Sequence, residues 1–201
     1  MKGREIEAPK GQVVAEVVAE APFSAMRAAL VSSGRGWLRE RGLFDAYLAP
    51  LPPEARTVIE TAAASDMLPL TVLRAHYRSM DALRLSIEDQ RASGRHIGKE
   101  NWGAMMKVVA TLAGRMGASP WIALSRAPQI FARNVTGGGL RAERLTGTRA
   151  RIVLSQFEIS RSEYFVHSVI GSFLAGLDPF CEADARITDR DGVSFSFTID
   201  W

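Results

Sequence analysis

The chain has 201 residues, 47% of them hydrophobic, which suits one domain with a sizeable core and excludes a disordered chain. A single cysteine, Cys181, excludes an internal disulfide framework and a multi-cysteine zinc site. The formal charge of +3 is too small to argue for nucleic acid, since 21 arginines and 4 lysines are nearly balanced by 22 acids.

Residues 1–10 are polar and read as a flexible arm without the apolar core of a signal peptide. The run over 12–21 admits a strand, through Val13, Val14, Val17 and Val18, or a helix, through its 3–4 spacing. A short helix is expected over 24–31, ended by Ser32-Ser33-Gly34, and another over 36–48, ended by Pro50, Pro52 and Pro53. Pro53 suits the first turn of a helix over 54–64, because its missing N–H would have had no helical partner there. Asp66-Met67-Leu68-Pro69 breaks the chain, and Pro69 opens a long helix predicted to run to about residue 91. Ser93-Gly94 is read as an interruption before a helix over 97–116. Ser119-Pro120 then pairs a cap with a first-turn proline, opening a helix to residue 134 that contains Pro128 and stops at Gly137-Gly138-Gly139.

Here the period changes. Segments 140–145 and 150–154 flank Thr146-Gly147-Thr148 as a β-hairpin. Ser160-Arg161-Ser162-Glu163 has the form of a capping box opening a helix over 161–177, closed by Pro179. Cys181, Ala183, Ala185 and Ile187 alternate with polar residues, as do Val193, Phe195, Phe197, Ile199 and Trp201 after the turn at Asp191-Gly192. Strands place alternate side chains on one face, so this ending predicts a half-buried antiparallel hairpin. The fold class is α+β: N-terminal helices, then helix, hairpin, helix, hairpin on an antiparallel sheet. Residues 1–34 read as an N-terminal extension and 35–201 as one domain. No stretch approaches the roughly 20 apolar residues of a membrane span, so a cytoplasmic location is expected.

From about Gly42 onward the chain resembles a bacterial domain family of unknown function that is abundant in myxobacteria. The resemblance is carried by Leu51-Pro52-Pro53, the break at Asp66–Pro69, Gly94-Arg95-His96-Ile97-Gly98, Ser119-Pro120, Asn134 with the glycine run, Ser162-Glu163-Tyr164, Gly171, and the ending Phe195-Ser196-Phe197-Thr198-Ile199-Asp200-Trp201. That family is distantly similar to a superfamily of haem nitric-oxide sensors, vinyl-reductase-type domains and acyl-binding Golgi-transport subunits. The resemblance implies a sensing or binding role, with an apolar cavity between helices and sheet. In the haem-sensor relatives a Tyr-x-Ser-x-Arg motif holds the propionates. Tyr77-Arg78-Ser79-Met80-Asp81 supplies the tyrosine and serine but sets aspartate in place of the arginine. A carboxylate would repel a propionate, so haem is set aside and no cofactor is expected. His76 is by residue type able to ligate iron, but it reads as a surface or capping histidine.

Other chemistry is weakly supported. Three scattered histidines and one cysteine lack the spacing of a zinc site. Cys181 with His167 could be imagined as a nucleophile pair, but Cys181 reads as a small buried hydrophobe. The glycine run follows a helix, the reverse of phosphate-binding loops. Arg141, Arg149 and Arg151 are expected on one outer face of the first hairpin, either as a solvated face or as an anion-binding patch. Trp102, Met105, Met106, Val109, Trp121, Phe131, Phe165, Val169 and Phe173 read as plain core or as the lining of an apolar pocket. The leading expectation is a non-catalytic sensory or protein-interaction domain that binds a small apolar ligand and acts through a protein partner or a homodimer. The alternatives are a small enzyme with a hidden site, or anion or nucleic-acid binding through the hairpin arginines.

Overall fold

The computed structural model describes residues 11–116 and 119–201, with side chains described outside 102–118. In chain order the elements are β1 (Gln12–Val17), β2 (Ala25–Arg27), α1 (Ala28–Glu40), α2 (Phe44–Leu48), α3 (Pro53–Thr61), β3 (Met67–Pro69), α4 (Leu70–Ala82), α5 (Ile87–Met116), α6 (Pro120–Asn134), β4 (Val135–Thr136), β5 (Gly139–Arg144), β6 (Arg149–Ser155), α7 (Glu163–Leu177), β7 (Asp184–Arg190) and β8 (Phe195–Asp200). A 3-10 turn, Glu158–Arg161, precedes α7. The α+β class and the succession of helix, hairpin, helix, hairpin hold.

The main sheet has the order β1-β5-β6-β8-β7, and its strands are antiparallel throughout. Register aligns Leu140 with Leu154 and Phe195, and Ala142 with Ile152 and Phe197. These residues are buried on one face, as alternation requires. Arg141, Glu143, Arg151, Ser196 and Thr198 take the other. The residues at 12–17, open to either reading in sequence, form β1 on β5. A smaller sheet, β3-β2-β4, ties the start of α1 to the end of α6.

Helix α7 lies against the buried face, with Phe165 reaching Phe195 at 5.9 Å and Phe173 reaching Phe197 at 5.5 Å between ring centroids. Helix α5 crosses behind α7. At the crossing a Cβ on Gly94 would collide with the Ser168 carbonyl, and one on Gly171 with the Arg91 carbonyl. Ser172 Oγ donates to the Gly94 carbonyl at 2.9 Å. The expected break at Ser93-Gly94 is therefore corrected: α5 runs through it, because the glycine serves a close approach of two helices. The interruption falls earlier, at 83–86. There Arg84 takes a positive φ of 50° and Ser86 caps the new helix, accepting from Asp89 N at 3.0 Å.

Other boundaries also shift. The helix expected over 36–48 is the end of α1 plus α2, divided at Gly42. The cap of α7 is Ser162, which accepts from Phe165 N at 3.1 Å, whereas Ser160 lies buried in the 3-10 turn. Strand β7 begins at Asp184, so the alternation read from Cys181 starts before any strand; Cys181 is only partly buried and Ile187 is 37% exposed. Val193 lies in the turn, and β8 starts at Phe195. Ser119 caps α6 as expected, accepting from Trp121 N at 3.3 Å. Among the described residues no helix is long and apolar enough to cross a membrane.

Candidate functional site

Helices α1, α4, α5, α6 and α7 meet the sheet around a cavity of about 120 Å³, α5 through Ile97. Met26 and Val31, Ile130 and Phe131 of α6, and Phe165, Val169 and Phe173 of α7 line it. Leu140 and Leu154 supply the sheet wall. No charged side chain among the described residues lines it.

The polar groups on the wall are few and engaged. His76 is 3% exposed, and its Nδ1 is hydrogen-bonded to Tyr47 Oη at 2.9 Å. Burial, reinforced by the nearby Arg35 guanidinium, pushes the His76 imidazole down to about 3, so the ring is neutral at pH 7. Arg35 is itself buried and donates to the Ile59 carbonyl at 2.5 Å. Tyr77 Oη donates to Met26 Sδ at 3.4 Å, and burial raises its phenol far above the usual range. Tyr164 Oη shares a 2.6 Å hydrogen bond with Ser93 Oγ, and burial pushes it up to about 12. His76, Tyr77 and Tyr164 are therefore all uncharged at neutral pH.

Of the residues singled out in sequence, Phe131, Phe165, Val169 and Phe173 come together on this cavity. Trp121 is buried elsewhere: Nε1 donates to the Gly147 carbonyl at 3.1 Å, and its ring lies 4.8 Å from that of Trp201. Trp102, Met105, Met106 and Val109 lie outside the described side chains. Arg141, Arg149 and Arg151 do share the outer sheet face, but each is engaged with an acid. Arg141 is 2.9 Å and Arg151 2.5 Å from the buried Glu143 carboxylate, and Arg149 bonds Asp200. Cys181 and His167 share no hydrogen bond; the thiol is pushed up by burial, the wrong direction for a nucleophile.

The pocket lining read from the sequence left out His76, Tyr77 and Tyr164. A signal for His76 was present: Leu73, His76, Tyr77 and Met80 fall at the 0, 3, 4 and 7 spacing of one helix face, and all four are buried. The expectation of a surface or capping histidine is thus corrected.

No protein-family model matches the chain, and no curated protein matches it in sequence. Solved structures do match in shape. The Fe(II) unliganded H-NOX protein from K. algicida superposes with a TM-score of 0.58 at 11% identity, over 87% of this chain and 96% of that one. An oxygen-binding H-NOX domain related to soluble guanylate cyclases, in its oxygen complex, gives 0.53 at 13% identity over 87% and 94%. A doubly substituted Tt H-NOX gives 0.52 at 15% identity over 88% and 95%. At such identities the likeness is one of fold: this chain has the fold of H-NOX domains.

That likeness overturns the expectation of no cofactor, since solved chains of this fold are described with Fe(II) and with oxygen bound. The ground on which haem was set aside fails as well. Asp81 does not line the cavity. Its carboxylate accepts from Tyr164 N at 2.9 Å at the start of α7. Tested against the residues present, an axial ligand has a candidate in His76, neutral and fixed through Nδ1. The space is a poorer match: the cavity measures about 120 Å³, against roughly 300–1,000 Å³ for pockets of drug-sized ligands. No cation among the described residues lines it to meet propionates.

Proposed function

We propose that this chain is a non-catalytic sensory domain that holds a small, uncharged, mainly apolar molecule in the cavity beneath α7. His76 and the Tyr164 hydroxyl serve as its polar anchors. The observation that carries this reading is the cavity itself: framed by five helices and a sheet, mainly apolar, with a few polar groups that burial keeps neutral. An apolar cavity of roughly 150 Å³ takes a molecule of benzene's size, so the ligand class is single-ring aromatics, short aliphatics or smaller. Occupancy would be passed to a protein partner or to a second copy of the chain.

The test is a thermal-shift and native mass-spectrometry series with benzene, toluene, phenol, indole, a fatty-acid panel and hemin. Single-ring compounds should stabilise the protein, by about 2.7 kcal/mol at a hundredfold excess over Kd, while long acyl chains should not. Ala127→Leu fills the cavity and should abolish the shift. A flat response to every small compound would sink the proposal. Stoichiometric hemin uptake with a Soret band lost in His76→Ala would replace it with a haem-bearing site. Light scattering with and without the active compound reads the step to a dimer.

A further inference from the structure

A second hollow, of about 550 Å³, opens on the other side of Tyr77, between α4, the 3-10 turn and the β7–β8 turn. Its character is opposite to the first. Arg74 and Arg78 project into it from successive turns of α4, and Arg161 enters from the 3-10 turn. Two carboxylates, Glu158 and Asp81, face them. Glu158 is bonded by Arg74, which holds its carboxyl below the usual range. Asp81 is committed to the start of α7 through Tyr164 N and Ser162. Arg190, the next cation along, is taken by the Ser160 carbonyl at 2.7 Å and by Glu163 at 2.5 Å. Arg78 is exposed and has no carboxylate partner among the described residues, and Arg161 senses Glu158 without bonding it.

Three guanidiniums therefore surround a groove in which one acid is neutralised and the other is turned toward a helix start. A guanidinium presents a planar fork of donors that matches two oxygens of a phosphate, which a compact ammonium cannot do. The hollow lies within the roughly 300–1,000 Å³ range of small-molecule sites. We infer that this groove binds a small phosphate-bearing anion, with Arg78 and Arg161 as its principal ligands and Arg74 completing the site. The inference is independent of what occupies the apolar cavity. It also relocates the anion-binding reading, because the hairpin arginines that first suggested it are consumed by Glu143 and Asp200.

The experiment is calorimetric titration of the full chain with inorganic pyrophosphate at constant ionic strength, with chloride as the control anion. Saturable binding is expected, weakened about tenfold or more in Arg78→Gln plus Arg161→Gln. Both residues are exposed, so the variant should fold, and an unchanged circular dichroism spectrum and Tm would establish that it has. Arg141→Gln plus Arg151→Gln should leave the pyrophosphate affinity unchanged. Two outcomes overturn the inference: no saturable binding to the wild type, or binding that survives the Arg78 and Arg161 replacements at full strength.

Discussion

On one side of Tyr77 the polar groups are uncharged, and His76, Tyr77 and Tyr164 among them are buried and hydrogen-bonded; on the other, guanidiniums and carboxylates meet water. The two hollows share a wall, and α4 contributes to both: His76 and Tyr77 to the first, Arg74, Arg78 and Asp81 to the second. Adjacent residues on one helix thus serve opposite chemistries. What separates them is burial, which disfavours the charged form of any group it encloses. The same chain can therefore offer an uncharged pocket to an apolar guest and a cationic groove to an anion on the far side of one ring.

The contrast can be broken hardest from the apolar side. Phe165→Ala removes a side chain that joins Tyr77, Phe157 and Phe195, and should cost about 3–5 kcal/mol in chemical denaturation. The enlarged cavity should then admit larger rings. Acid sharpens the comparison next. The unfolded chain protonates His76 near its ordinary 6.5, whereas the folded ring resists until about pH 3. Stability is therefore lost as pH falls through that window, at about 1.4 kcal/mol per pH unit from this group. The difference in slope between wild type and His76→Gln measures it. Tyr47→Phe deprives His76 Nδ1 of its partner and should cost about 1–3 kcal/mol, read from denaturation midpoints. The smallest effect is expected in the groove. Arg74 and Glu158 are 47% and 39% exposed, so Glu158→Gln should change stability by less than about 1 kcal/mol. It should nevertheless strengthen pyrophosphate binding, because Arg74 is released.

How far the sequence announced this arrangement depends on whether the determinant was local. The alternation of Phe195, Phe197 and Ile199 gave β8, and Ser119-Pro120 gave the start of α6, because each feature acts within a few residues. Phe131, Phe165, Val169 and Phe173 were legible as a group through helical spacing on α6 and α7. Residues on α1 and α4 were not, since nothing local says which helix faces meet across a cavity. Gly94 misled for a related reason. In sequence it reads as a breaker, while in space it is required by Ser168 on a different helix. The Tyr77–Asp81 motif misled as well, because a pattern taken from relatives carries no statement of where its side chains point. Asp81 turned out to serve α7 rather than any cofactor.

The glycine crossing has a mechanical consequence. With Gly94 against Ser168 and Gly171 against Arg91, the two backbones are locked within contact of each other at the middle of α7. Sliding is blocked there, because the next side chains along either helix would have to pass through a carbonyl. The contact continues along α5 to Gly98, where a Cβ would meet Ala175 and Ser172, so α7 is clamped over residues 168–175 rather than at one point. Just beyond the helix, Arg95 of α5 adds an ion pair to Asp178.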